Sequence, residues 1–272
     1  MTITHGRPML TQPVLFIGHG SPMNAVEDND WARAWYALGK RLPRPRAILC
    51  ISAHWQTAGI RVCSADKPRT IHDFGGFPPA LYRIEYPAPG DPALAERVAG
   101  LIDPVLEPVL DAEYGLDHGA WQVLLHLFPD ADVPVVQLSL DLRRPGLQHF
   151  AIGQMLAPLR DEGVLVLGSG NIVHNLRMVD SRNPTPPDWA LAFRDRVNGH
   201  IAAGEFQPLA DFESLADARL AAPTPEHYLP LLYALALARP GDDLELFNDD
   251  VWSTLSMTSL AIGMNQRRST RH

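Results

Sequence analysis

The amino-acid sequence predicts an α/β fold, a single domain with a central, largely parallel sheet flanked by helices. Three observations carry this reading. Apolar runs rich in β-branched residues recur along the chain and are mostly continuous rather than alternating, the pattern of strands covered on both faces. Helical patterns fall between those runs, as crossover connections require. There is no internal repeat, low-complexity tract or linker long enough to separate domains, so one catalytic domain is expected over residues 1–272, with a core from about 14 to 264 and flexible terminal residues.

The runs expected as strands are Val14–Ile17, Ala47–Ser52, Ile60–Cys63, Val133–Leu140, Val164–Leu167 and Leu244–Phe247. The helices expected between them are Asp30–Arg41, Pro92–Ile102, Gly119–Leu127, Pro145–Asp161, Pro187–Ala203 and Pro225–Ala238. Four of these six begin on proline, whose fixed φ suits a first helical turn and whose missing N–H costs nothing there.

Composition narrows the function classes. With 46% apolar and 20% charged residues, the chain is globular, and folding at this length buries roughly three quarters of the extended surface. Lys and Arg number 23 against 31 Asp and Glu, a formal charge of −8, so the positive field of a nucleic-acid binder is missing and no such partner is expected. The two cysteines, Cys50 and Cys63, sit in apolar strand-like runs and read as buried free thiols. A reducing, cytoplasmic location is expected, because neither a disulfide framework nor a secretory leader is visible. The longest apolar stretch, Tyr228 to Ala238, is broken by Pro230 and falls short of the ~20 residues that span a bilayer, so no membrane partner is expected.

The histidines are the informative residues. His19 and His54 end strand-like runs, and His174 lies in the loop after a third. In an open parallel sheet the ligand crevice lies outside the carboxyl ends of the strands, so three imidazoles delivered to that rim can converge. His227 belongs to Thr224-Pro225-Glu226-His227, which reads as N-cap, N1, N2 and N3 of the last helix. The positive end of a helix dipole favours neutral imidazole, the form that binds metal. His118 precedes another helix beside Asp117 and suits an acid/base role. Taken singly, a histidine is more often a hydrogen-bonded structural residue than a ligand; five in turn-like contexts shift that balance. His72, His126, His149 and His200 are read as structural or solvated, and His5 and His272 as disordered termini.

Other motifs fail their tests. Gly18-His19-Gly20-Ser21-Pro22 and Gly168-Ser169-Gly170-Asn171 complete neither a dinucleotide nor a P-loop spacing, and neither serine sits in a Gly-x-Ser-x-Gly elbow. Their glycines are read as tight turns beneath a metal or substrate. His-Glu-x-x-His and facial-triad spacings are absent, which leaves a dispersed all-histidine site. Neutral nitrogen ligands leave a divalent ion its full charge, which favours chelation of an anionic oxygen pair such as a catecholate. Such ligands accept Fe(II) and Zn(II) comparably.

At these residues the chain resembles the class III extradiol ring-cleavage dioxygenases, most closely their DOPA 4,5-dioxygenase branch. The resemblance runs through Gly18-His19-Gly20-Ser21-Pro22, Ser52-Ala53-His54-Trp55, Phe74-Gly75-Gly76-Phe77-Pro78, Tyr86-Pro87-Ala88-Pro89-Gly90 and Leu116-Asp117-His118-Gly119-Ala120-Trp121. It continues through Gly168-Ser169-Gly170-Asn171, His174-Asn175-Leu176 and Pro225-Glu226-His227-Tyr228-Leu229-Pro230-Leu231, covering residues 14 to about 238 in the family's order.

The resemblance implies that His19, His54 and His227 hold one divalent metal ion per chain, with His174 a fourth ligand or a neighbour that braces one, and that His118 is the catalytic acid/base. Better known relatives use two histidines and a glutamate. Glu226 directly precedes His227, so choosing the histidine rests on the branch resembled. The implied reaction inserts O2 into a catechol-type ring, DOPA-like or related, to give a muconic semialdehyde, with Fe(II) as the active ion and Zn(II) able to occupy the same ligands in purified protein. Trp55, Phe74, Phe77 and Trp121 are candidate ring-stacking walls, and Asn171 a candidate donor to a substrate oxygen, each with an ordinary packing or turn role as the alternative. Phe74-Gly75-Gly76-Phe77 has the glycines of a mobile lid. A zinc hydrolase on the same histidines and a non-catalytic binding protein on this fold remain the competing readings, and homo-oligomerisation is left open.

Overall fold

A computed structural model describes residues 10–265. Its strands are β1 (Val14–Gly18), β2 (Ala47–Gln56), β3 (Arg61–Cys63), β4 (Val109–Asp111), β5 (Val135–Leu140), β6 (Val164–Gly170), β7 (Leu244–Phe247), β8 (Val251–Trp252), β9 (Leu255–Ser256) and β10 (Ser259–Ile262). Eight of them form one sheet in the order β4-β3-β5-β2-β6-β1-β10-β7, while β8 and β9 pair with each other. The central strands β5, β2, β6 and β1 run parallel. Antiparallel pairing occurs at β3 with β5 and where β10 joins β1 to β7. The expected α/β architecture is thus observed, with an antiparallel margin.

Why the central runs are continuously apolar is visible in their two-residue alternation. Val14, Phe16, Leu49, Ile51, Val164 and Val166 face one core, whereas Leu15, Ile17, Ile48, Cys50, Leu165 and Leu167 face the other. Helices cover both. They are α1 (Asp30–Arg41), α2 (Pro92–Leu101), α3 (His118–Leu127), α4 (Gly146–Met155), α5 (Pro158–Asp161), α6 (Asp188–Ala203), α7 (Gln207–Ala210), α8 (Ala218–Ala221) and α9 (Leu229–Ala236). Leu94, Ile152, Phe193 and Leu232 bring α2, α4, α6 and α9 to the first core; Trp35 and Trp121 bring α1 and α3 to the second.

The structure differs from the sequence expectation at several points. The segment Pro145–Asp161 is two helices, because Pro158 lacks the N–H a continuous helix needs and α5 restarts on it. The last helix starts at Leu229 rather than at Pro225, for the same reason: Pro230 cannot donate to the Glu226 carbonyl. One turn still forms ahead of it, with Leu229 N–H donating to the Pro225 carbonyl at 3.0 Å. Thr224 therefore caps nothing, and its hydroxyl donates to Glu226 Oε1 at 2.7 Å. β2 continues past Ser52, so His54 lies within an irregular strand end rather than after it. The short strands β4, β8, β9 and β10 have no counterpart among the expected runs. Cys50 and Cys63 are buried free thiols as expected, and no helix among the described residues is long and apolar enough to cross a membrane. His5 and His272 lie outside the described residues.

Candidate metal centre

Five histidines meet at the carboxyl-end rim. His19 follows β1, His54 sits near the end of β2, His118 is the first residue of α3, His174 lies in the loop after β6, and His227 precedes α9. One ring nitrogen from each of His19, His54 and His227 lies within 4.8 Å of the others, close enough to share an ion. His19 Nε2 and His54 Nε2 are 3.2 Å apart. The ring of His174 stacks on that of His227, and the ring centroids of His54 and His118 are 3.9 Å apart.

Close backbone approach delivers His227 to this rim. Its carbonyl accepts the Asn171 N–H at 2.8 Å, and a Cβ on Gly170 would fall 2.1 Å from that carbonyl oxygen. Glycine at 170 is therefore a steric requirement, not the tight turn expected of this motif. Gly119 plays a similar part, since a Cβ there would meet Ser52 Oγ at 2.4 Å and His54 Cδ2 at 2.9 Å. Asp117 fixes the start of α3: it is the N-cap, accepts from Ala120 N–H at 3.2 Å and takes the Ser52 hydroxyl at 2.6 Å.

In each of the three clustered imidazoles Nδ1 faces an oxygen. His19 Nδ1 is 3.0 Å from Ser169 Oγ, whose own proton goes to the Gly119 carbonyl at 2.5 Å, so the serine accepts from the histidine. His227 Nδ1 is 3.2 Å from Glu226 Oε1, and His54 Nδ1 is 3.2 Å from Asp73 Oδ2. Glu226 thus points to the back of His227 rather than joining His19 and His54. Rings held this way keep Nε2 as the free lone pair, the usual arrangement of metal-binding histidines.

Burial favours the neutral form of His19, His118, His174 and His227. The His19 and His227 pKa values are pushed well below the usual histidine range, first by burial and then by the neighbouring imidazoles. His174 is lowered to about 3, by burial and by His54 and His118. Burial also lowers His118, with His54 adding to the effect and Asp73 opposing it. Partial burial pushes the Asp73 carboxyl up, but His118 and His54 together outweigh it and hold the group well below the usual carboxylate range. Imidazole nitrogen donors backed by the carboxylates of Asp73 and Glu226 suit a divalent transition metal, so the donor set fits such an ion.

The histidines floor a cavity of about 450 Å³ whose walls are apolar, including Phe74, Phe77, Leu176, Val179, Trp252 and Leu255. Of the four aromatic residues expected as walls, Phe74 and Phe77 line it. Trp55 instead stacks on Tyr114 with ring centroids 4.1 Å apart, and Trp121 is buried with its indole N–H donated to the Ile71 carbonyl. Asn171 is also away from the cavity, its amide donating to the Ser256 carbonyl at 2.7 Å. His126 bonds the Asn24 carbonyl, His72 the Ile84 carbonyl, and His149 lies between Tyr233 and Asp141, all structural contacts. Half-buried His200 pairs with Glu205. Sequence reasoning missed Asp73 and Trp252; the one signal for Asp73 was a carboxylate at the entrance to the glycine loop.

Known proteins resemble the chain along nearly its whole described length. Residues 3–263 match the family described as the catalytic LigB subunit of aromatic ring-opening dioxygenase. The chain is 48% identical over 264 residues to a 4,5-DOPA dioxygenase extradiol of Escherichia coli (strain K12), covering 92% of this chain and 94% of that one. It is 39% identical over 246 residues to the protein of the same name from Beta vulgaris, covering 86% and 90%. The crystal structure of uncharacterized protein JW3007 from Escherichia coli K12 superposes with a TM-score of 0.79 at 43% identity, covering 93% of this chain and all of that one. The chain therefore belongs to the LigB family of aromatic ring-opening dioxygenases and is a metal-dependent extradiol dioxygenase.

Proposed function

We propose that this enzyme opens a catechol ring beside its two hydroxyls to give a muconic semialdehyde, with His19, His54 and His227 holding Fe(II) and His118 moving protons. The observation that carries the reading is the convergence of the imidazoles of His19, His54 and His227 on the floor of an apolar cavity. Fe(II) held by His19, His54 and His227 would supply Lewis-acid chemistry toward the catechol and redox chemistry toward O2.

The remaining work falls to side chains. Apolar walls exclude bulk water and strengthen the electrostatics at the floor. His118, buried and neutral, accepts a catechol proton and later returns it, a task suited to imidazole. Phe74 and Phe77 offer ring faces to the aromatic substrate, at the cavity wall nearest His118. Several relatives carry the name 4,5-DOPA dioxygenase extradiol, so DOPA-like catechols head the substrate panel.

Metal-depleted protein reconstituted anaerobically with Fe(II) is expected to consume O2 in step with catechol and to develop the yellow semialdehyde absorbance. Zinc found in a purified sample is compatible with this, because zinc outranks iron in divalent affinity. If the Fe(II) form leaves O2 untouched across catechol, protocatechuate, caffeate and DOPA while the Zn(II) form hydrolyses an ester or amide, the proposal fails.

A further inference from the structure

Asp73 touches two imidazoles with one oxygen. Its Oδ2 lies 2.9 Å from His118 Nδ1, off the line of that N–H, and 3.2 Å from His54 Nδ1, while Oδ1 accepts the backbone N–H of His118 at 2.8 Å. Asp73 as a whole residue is exposed, yet only 23% of its side chain is, because the carboxylate turns toward the two imidazoles.

The position of this carboxylate is set from elsewhere. Leu116 N–H donates to the Arg69 carbonyl, Ile71 N–H to the Leu116 carbonyl, and the Trp121 indole to the Ile71 carbonyl, at 2.7 to 2.8 Å. These bonds pin the segment leading into Asp73 against the start of α3, the helix that carries His118.

A carboxylate only accepts, so a proton on each Nδ1 turns these two close contacts favourable, whereas a lone pair there would face the carboxylate's own. A neutral imidazole with its proton on Nδ1 keeps its lone pair on Nε2. For His54 that lone pair points toward His19 Nε2, and for His118 it is the nitrogen left to meet a substrate in the cavity.

We infer that Asp73 is a positioning residue that sets the proton placement of two histidines at once, holding His54 ready for the metal and His118 ready to accept a substrate proton. The inference rests on the metal reading given above. Nitrogen and oxygen atoms of His54, Asp73 and His118 also lie within 4.8 Å of one another, so the carboxylate has a competing role as a ligand. Its Oδ1 is already taken by the His118 backbone N–H, which argues for positioning.

Asp73→Asn is the decisive change, because the amide nitrogen would present donors to two nitrogens that are themselves donors. His54 and His118 must then move or shift their protons to Nε2, and a protonated Nε2 on His54 cannot bind a metal. In the wild-type Zn(II) protein, labelled with ¹⁵N-histidine, NMR is expected to show His54 and His118 protonated on Nδ1. In Asp73→Asn the His118 proton is expected on Nε2, with Zn(II) affinity down about 10- to 100-fold in chelator competition. Turnover of the Fe(II) form is expected to fall by a similar factor while KM for catechol stays within about two-fold.

Wild-type His54 or His118 protonated on Nε2 would overturn the inference without any variant. So would unchanged tautomers, affinity and turnover in Asp73→Asn, or a loss of metal as complete as in His54→Ala, which would make Asp73 a ligand. Failure of the wild-type protein to bind any divalent ion would sink the metal reading instead, and the His118 tautomer in the metal-free protein would still decide this one.

Discussion

The imidazole of His174 lies flat on that of His227, with ring centroids 3.3 Å apart and planes 6° from parallel. Two imidazolium ions would not tolerate this contact, and both groups are driven neutral by burial. His174 is expected to brace the plane of His227 rather than to bind the ion itself. His174→Phe keeps a flat ring there and is expected to retain one metal ion per chain; atomic absorption showing metal-free but folded protein would make His174 a ligand instead.

His19 and His118 are expected to separate binding from turnover. His19→Ala should lose metal and activity together, while its circular dichroism stays close to wild type because the residue follows the strand rather than filling either core. His118→Ala should keep its metal and lose turnover by on the order of 10²- to 10⁴-fold. Metal content of the two variants, measured side by side, checks the contrast.

Ser169 is fully buried between the His19 ring and the Gly119 carbonyl. Ser169→Ala leaves the Nδ1–H of His19 without its partner and removes one of two bonds to the Gly119 carbonyl, a cost of about 1–3 kcal/mol in stability. Metal affinity is expected to fall about 10-fold or more because the His19 tautomer is no longer fixed. Urea unfolding and chelator competition measure the two effects separately.

His149 gives the acid limb of stability a specific origin. Its ring is buried between the Tyr233 hydroxyl and the Asp141 carbonyl, and burial lowers its pKa to about 4. Below about pH 6.5 the unfolded chain binds a proton that the folded ring refuses, so stability falls with pH from there and levels off below the folded value. That amounts to about 2 kcal/mol between pH 7 and pH 5. His149→Gln, which offers an amide donor to the Asp141 carbonyl, should lose about 2 kcal/mol less over that interval in the metal-free protein. Parallel urea titrations at the two pH values would show equal losses if the idea is wrong.

The candidate ligands were legible for a topological reason. Continuous β-branched runs announce parallel strands, and whatever follows the carboxyl end of such a strand reaches the rim; His19 and His174 follow that rule, and His54 departs from it by only the irregular end of β2. Asp73 obeys no such rule. Its place depends on pairing between residues 69–71 and Leu116, a long-range register that no local pattern encodes. Trp252 lies in a two-residue strand, too short for periodicity to register, and β10 enters the sheet through tertiary pairing with β1 and β7. The late start of α9 was readable from Pro230, since a missing N–H is a local property.

His19 follows the first strand, whereas His227 stands just before the last helix. An ion shared by them would close a loop on the order of 200 residues, which no stretch of unfolded chain can imitate cheaply. Binding of that ion is thus a fastening of the whole α/β body as well as a step toward chemistry, worth about 2.7 kcal/mol when free ion exceeds its dissociation constant a hundredfold. The melting temperature becomes a gauge of occupancy, rising with each decade of added metal, so chelation weakens the fold itself and not the reaction alone.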